Sequence, residues 1–251
     1  MNILITGANQ GIGYYMATEL LKHGNNVTVL DLEIPELLKL KEEYTMNLLP
    51  IECDVCDCDA IKSAVKHSIE QFGEIDIAVH NACKCTFESM EKTQIKAYQK
   101  VMDVNYYGAL RLAKFVVPYM IQAGKGRVIF TSSGVGVTGF YNISPYASSK
   151  GAIESLAKCL LQEYKSTGIS FHLMHPPLTQ TNSSAPLTVP KEMQANPETV
   201  GVGLAKRINK KSFIICHSPG QQFQIRLNYL FPIKFGAMMT MMTKRTQQSK
   251  D

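Results

Sequence analysis

The chain has 251 residues, a formal charge of +5, 45% hydrophobic residues and 19% charged residues. That composition excludes a disordered, collagenous or low-complexity chain, and the length allows one large α/β domain with a deep core. Ten of the 26 Lys and Arg but only three of the 21 Asp and Glu follow residue 190, so the basic excess sits in the last quarter, where a solvated basic surface is the ordinary reading.

Asn2–Thr6 is an apolar run that enters a glycine turn directly, without the charged segment and apolar stretch of a secretory leader, so no leader is expected. No apolar run of about eighteen residues follows, so no membrane span is expected. Helical periodicity is expected over 11–23, 35–44, 59–72, 93–123, 145–167 and 197–208. Strands are expected at 26–30, 48–53, 75–80, 126–131, 169–175 and 212–216. Alternation of this kind, with strands that are continuous apolar runs, predicts a doubly wound parallel sheet of Rossmann type covered on both faces. The Pro- and Ser-rich stretch 176–197 follows a strand's carboxyl end and is a candidate substrate lid. The reading divides the chain into a Rossmann-type domain over 1–220 and a basic, Met-rich extension over 221–251.

Between the first strand and first helix lie Gly7, Asn9, Gln10, Gly11, Ile12 and Gly13. Glycines there allow a tight turn and close backbone approach, and the helix amino terminus offers N–H groups to a pyrophosphate. The second strand ends at Asp31, whose carboxylate would accept ribose hydroxyls and repel a 2′-phosphate, which favours NAD over NADP.

Tyr146 and Lys150 are four residues apart on a helix whose first turn holds Pro145, so both project from one face. An ammonium beside a phenol would lower its pKa toward working pH, as an acid/base for an alcohol requires. Ser132 and Ser133 end a strand, where a hydroxyl can polarise a substrate oxygen. Seven cysteines, an odd number, fit free thiols in a reducing, cytoplasmic setting. The cluster Cys53, Cys56, Cys58, Cys83 and Cys85 raises a metal site, but Cys83-Lys84-Cys85 has the wrong spacing for a zinc knuckle, and no metal is expected. Small hydrophobes at strand ends account for these thiols better.

Taken together, residues 2–181 resemble the short-chain dehydrogenase/reductase family. Thr6 to Gly13 carries its Thr-Gly-x-x-x-Gly-x-Gly motif, and Asp54-Val55 matches the acidic position that contacts adenine in the family. His80-Asn81-Ala82-Cys83 matches its Asn-Asn-Ala-Gly segment with both ends altered. Asn105, Ser133 and Tyr146-Ala147-Ser148-Ser149-Lys150 match its active-site positions. The resemblance implies that Tyr146 exchanges the proton, Ser133 holds the substrate oxygen, and Lys150 lowers the tyrosine pKa while binding the nicotinamide ribose. It implies that Asn105 holds a water linking Lys150 to solvent. In Pro176-Pro177-Leu178-Thr179-Gln180-Thr181, Thr181 is implied to touch the carboxamide, with Pro177 where the family has glycine. The expected activity is hydride transfer between a nicotinamide cofactor and a carbonyl or secondary alcohol, in a homo-oligomer.

The segment 221–245 departs from the family's ending, with an apolar stripe among basic residues and Pro232 as a helix breaker. It would cover a lipophilic pocket, touch a membrane surface, or pack on its own domain or on a second subunit, and its methionines lean toward a lipid-like substrate. Nucleic acid is not an expected partner, since Tyr229, Phe231 and Phe235 sit in an apolar run with few cations. The rival to an enzyme is a catalytically silent NAD(H)-binding regulatory protein, against which stands an intact Ser133, Tyr146, Lys150 and Asn105.

Overall fold

Alternate residues of β1 (Asn2–Thr6) are apolar on both faces, with Ile3 and Ile5 pointing one way and Leu4 the other. Such a strand needs a cover on each side, and the computed structural model, which describes residues 1–187, 189 and 191–248, supplies both. With β2 (Asn26–Asp31), β3 (Leu48–Glu52), β4 (Ile77–His80), β5 (Gly126–Thr131), β6 (Ile169–Met174) and β7 (Ile214–Ile215), β1 forms a parallel sheet in the order β3-β2-β1-β4-β5-β6-β7. This is the expected doubly wound Rossmann architecture.

On one face α1 (Gly11–Lys22), α2 (Pro35–Glu43) and α8 (Pro197–Ala205) enclose Ile3, Ile5, Val27, Val29 and Val79. On the other, α3 (Cys58–Phe72), α5 (Gly108–Ala123) and α7 (Ser144–Glu163) cover Leu4, Ala78, Val128, Phe130 and Phe171. β1 has β2 on one side and β4 on the other, so the winding direction reverses there. A crevice opens at that reversal, outside the carboxyl ends of the strands.

Four local features differ from the periodicity. The helix expected over 93–123 is α4 (Ile95–Met102), a π turn at Asp103–Tyr107, and α5. A short α6 (Val135–Thr138) stands in the loop after β5. β7 is two residues rather than five, because the Ser212 carbonyl is taken by His172 Nδ1 at 2.9 Å and ladder pairing begins only at the Phe213 carbonyl. Pro232 does break the tail, but as the first residue of a new helix: α9 (Pro219–Leu230) ends at Phe231 and α10 (Pro232–Gln248) follows. α9 buries Gln221, Ile225 and Asn228. In α10, Gly236 seats against α6, where a Cβ would stand 2.6 Å from the Gly139 carbonyl oxygen. Among the described residues no helix is long and apolar enough to cross a membrane.

Candidate active site

The crevice is a cleft of about 670 Å³ whose floor is the ends of β1, β4, β5 and β6. Thr6 ties two of these ends together. Its hydroxyl accepts the backbone N–H groups of Asn81 and Ala82, each at 3.1 Å, and donates to His80 Nδ1 at 3.0 Å. His80 donates in turn from Nε2 to the Val104 carbonyl at 3.1 Å, so its partners fix the neutral Nε2–H tautomer. Burial first, and then the Lys150 charge, lower the His80 pKa to about 3.

The glycine turn fits tightly against this bridge. Gly7 has φ +70°, and a Cβ there would stand 2.4 Å from Ala82 Cα. At Gly13 a Cβ would stand 2.4 Å from the Gly7 carbonyl oxygen and 2.7 Å from Asn81 Nδ2, the amide that donates to that same carbonyl at 2.6 Å. α1 then begins at Gly11 with no side-chain cap from Gln10, which leaves first-turn N–H groups for an anion. Asn9 and Gly13 lie behind the cleft wall, whereas Gly7, Gln10, Gly11 and Ile12 line it. Asn9 positions its neighbours. Its N–H donates to Asp31 Oδ2 at 2.8 Å, and its Oδ1 accepts the N–H groups of Glu36 and Leu37 that open α2. Asp31 Oδ1 accepts from Leu32 N–H at 2.8 Å, so each oxygen holds one donor and keeps room for a second. Asp54 and Val55 line the same cleft, and Asp54 is oriented by the Cys56 N–H at 2.8 Å.

At the other end Tyr146 and Lys150 project from the first turns of α7, with Ser133 beside them. Lys150 is buried, its Nζ 2.7 Å from the Thr131 carbonyl and 5.5 Å from the Tyr146 ring centroid. The phenol does not have the lowered pKa expected from its lysine. Burial, and then its neighbours Cys83 and Cys85, raise it well above its ordinary value of 10, against the opposing hydroxyl of Ser133. This arrangement keeps Tyr146 protonated, the form that can donate to a carbonyl oxygen.

Asn105 stands apart from the wall. It is fully buried in the π turn, where its Nδ2 donates to the Lys84 carbonyl at 3.0 Å and to Ser149 Oγ at 2.9 Å, and its Oδ1 accepts the Lys84 N–H at 2.8 Å. It braces the loop after β4 against α7. Pro176 and Thr181 line the cleft, and the Thr181 methyl lies 3.3 Å from where a Cβ on Gly11 would stand. Of the expected lid over 176–197, residues 188 and 190 lie outside the described residues; Leu178, Leu187, Val189 and Met193 turn toward the cleft.

Several lining residues were missed in the sequence. Cys83, Cys85 and Phe87 come from the loop after β4, and the glycine-to-cysteine change at position 83 was the only local signal for them. Phe235, Met238, Met239 and Met242 of α10 also line the cleft, and they belong to the apolar stripe over 221–245 for which covering a lipophilic pocket was one of the expected roles; helical spacing places 235, 238, 239 and 242 together.

Residues 1–191 match the family model described as short chain dehydrogenase. A 3-dehydrosphinganine reductase of Danio rerio is 30% identical over 83% of this chain, which spans 66% of that relative's length. Oxidoreductase UcpA of Escherichia coli is 35% identical over 78% of this chain and 74% of its own. A short-chain dehydrogenase structure from Streptomyces avermitilis superposes with a TM-score of 0.80 at 20% identity, covering 99% of this chain and 98% of its own. The family-model match spans most of the chain, glycine turn, strand-end serine and Tyr–Lys pair included, and the chain belongs to the short-chain dehydrogenase family.

Proposed function

We propose that the protein is an NAD-dependent oxidoreductase that interconverts a ketone and a secondary alcohol on a lipid-like substrate. The observation that carries the reading is the convergence of Ser133, Tyr146 and buried Lys150 at one end of a cleft whose other end is the uncapped start of α1 with Asp31. A bound nicotinamide would supply or accept the hydride. The chain's own residues would do the rest. The first-turn N–H groups of α1 hold a pyrophosphate, Asp31 accepts ribose hydroxyls, and Ser133 and Tyr146 donate to the substrate oxygen. In reduction Tyr146 gives up its phenolic proton as the alkoxide forms, and Lys150 stabilises the resulting phenolate. Asp31 excludes a 2′-phosphate by charge, since among the described residues no cationic side chain lines the cleft beside it.

Titrating the purified protein with NADH and with NADPH tests the nucleotide half. NADH should bind about tenfold tighter or more, and Asp31→Ala should narrow that gap by weakening NADH and relieving the repulsion. Equal affinities in the wild type would sink the selector role of Asp31.

The substrate half rests on α10, which lays Phe235, Met238, Met239 and Met242 along the cleft. The outer surface of α9 and α10 carries exposed Phe223, Leu230, Phe231, Ile233 and Met241 near Arg226 and Lys234, a composition that suits delivery from a membrane surface. The substrate named in the 3-dehydrosphinganine reductase relatives, a long-chain ketone, fits this wall. Met239→Glu should lower kcat/KM for that ketone by about tenfold or more while a short methyl ketone is reduced as before. Equal losses on both would place Met239 in the fold rather than in chain-length recognition.

A further inference from the structure

Cys83 and Cys85 lie with their sulfurs 3.7 Å apart, and both thiols line the cleft beside Tyr146. The backbone between them is fixed. Lys84 has its N–H and its carbonyl bound to the one side chain of Asn105, at 2.8 and 3.0 Å, which holds the turn with both thiols facing the same space. The two thiols are not equivalent. The hydrogen bond from the Cys85 thiol lowers the Cys83 pKa against the effect of burial, with the Lys150 charge and the Tyr146 hydroxyl adding to the lowering. Cys85 is pushed the other way, first by its bond to Cys83 and then by burial. One sulfur is therefore a nucleophile with a protonated partner at contact distance.

We propose that Cys83 and Cys85 form a redox-active dithiol, oxidised by a hydroperoxide to a disulfide that withdraws the Cys83 sulfur from Tyr146. In the first step the Cys83 thiolate attacks a peroxide oxygen of ROOH. The S–O bond forms, the O–O bond breaks, and RO⁻ leaves to take a proton, so sulfur loses two electrons and the peroxide gains them. In the second step the Cys85 sulfur displaces the hydroxyl of the sulfenic acid. The S–S bond forms, the S–O bond breaks, and the Cys85 thiol proton departs with the hydroxyl as water. The consequence at the active site is electrostatic. Tyr146 faces the two thiols, the Lys150 ammonium and the Ser133 hydroxyl, with the Phe87 ring 6.4 Å from its own. A disulfide carries no negative charge, so the phenol loses a neighbour that holds its proton on and titrates at lower pH.

The full-length reduced protein is treated with graded hydrogen peroxide, alkylated with iodoacetamide, and mapped by mass spectrometry. Trypsin cuts after Lys84, so a bridge holds together the two peptides on either side of it until a reductant separates them. The exposed Cys58 and Cys159 serve as internal controls. Cys83 and Cys85 should lose alkylation together, at about a tenth of the peroxide that blocks the controls, and regain it with dithiothreitol. In Cys85→Ser, Cys83 should pass instead to an acid that dithiothreitol does not reverse. Alkylation of both at peroxide levels that consume the controls would overturn the proposal, as would independent oxidation of the two. The bond readout needs no turnover and stands apart from the dehydrogenase reading. The charge effect rests on that reading, and requires the alkaline limb of ketone reduction to move to lower pH in the oxidised protein. An unmoved limb in a fully bridged, active sample would refute that part.

Discussion

Tyr146→Phe should lower turnover by about 10²- to 10⁴-fold, the range for loss of a positioned proton donor, and leave the dinucleotide Kd within a few-fold of wild type. The substitution deletes one hydroxyl and keeps the ring, which packs edge-on against Phe87 at 6.4 Å. Lys150 does not depend on that hydroxyl for its place, because its ammonium is anchored on the Thr131 carbonyl at 2.7 Å. The glycine turn and Asp31 lie at the other end of the cleft. A loss in kcat with unchanged cofactor affinity therefore assigns the missing group to the chemical step. If the variant kept its activity, Tyr146 would not be the proton donor and Ser133 would become the first alternative.

The same residue carries a pH signature. A phenol held above its ordinary value of 10 is protonated through neutrality and beyond. Ketone reduction, which uses the protonated form, should be level across neutral pH and fall only as pH rises through the raised pKa. A profile that already falls at neutrality would mean that the positive groups at the site outweigh burial and the thiols.

How far the sequence reached depends on whether a feature was local. The glycine turn was legible because the sterics are local: Gly7 needs a positive φ, and the strand before it and helix after it could be read from their periods. The parallel sheet was legible because strands such as β1, with Ile3, Leu4 and Ile5 buried in succession, carry apolar residues on both faces. The π turn at Asp103–Tyr107 was not, since one extra residue in a helix barely disturbs a 3.6-residue period. Its cause is tertiary: Asn105 must reach both Lys84 and Ser149. Nor could α6 be read, because Val135-Gly136-Val137-Thr138 has poor helix propensity and the helix is held by its packing against α7 and α10. The thiol pair was visible as Cys-x-Cys, but read as small apolar residues at a strand end. Only the bracing of Lys84 turns both sulfurs into the cleft. Glu154 and Tyr229 are 75 residues apart, and nothing in either segment announces the other.

That last pair should dominate stability. Glu154 sits one helical turn beyond Lys150 on α7, is 4% exposed, and accepts the Tyr229 hydroxyl from α9 on Oε2. His175 Nε2, at the end of β6, approaches Oε1 at 2.8 Å, a contact whose alignment falls short of a hydrogen bond. The carboxylate thus joins the catalytic helix, the sheet and the tail. Burial alone would raise its pKa, but His175, Ser132 and Tyr229 outweigh burial and hold it below 4.5. Glu154→Leu strands His175 and the Tyr229 hydroxyl in an apolar space, and should cost about 3–5 kcal/mol, or roughly 6–20 °C in Tm for a chain of this size. The sign of the pH dependence follows from the lowered pKa. The unfolded chain takes up the Glu154 proton before the folded one does, so the charge contributes fully above the ordinary carboxylate range and is lost as pH falls through the folded value. The difference in Tm between wild type and Glu154→Gln should therefore hold steady from about pH 7 to 5 and close below the ordinary 4.5. A gap that stayed constant into acid would mean that Glu154 contributes by shape and hydrogen bonding alone, with its charge already offset by the loss of solvation. A gap that closed would make α9 a brace whose hold on the Tyr146–Lys150 helix loosens in acid.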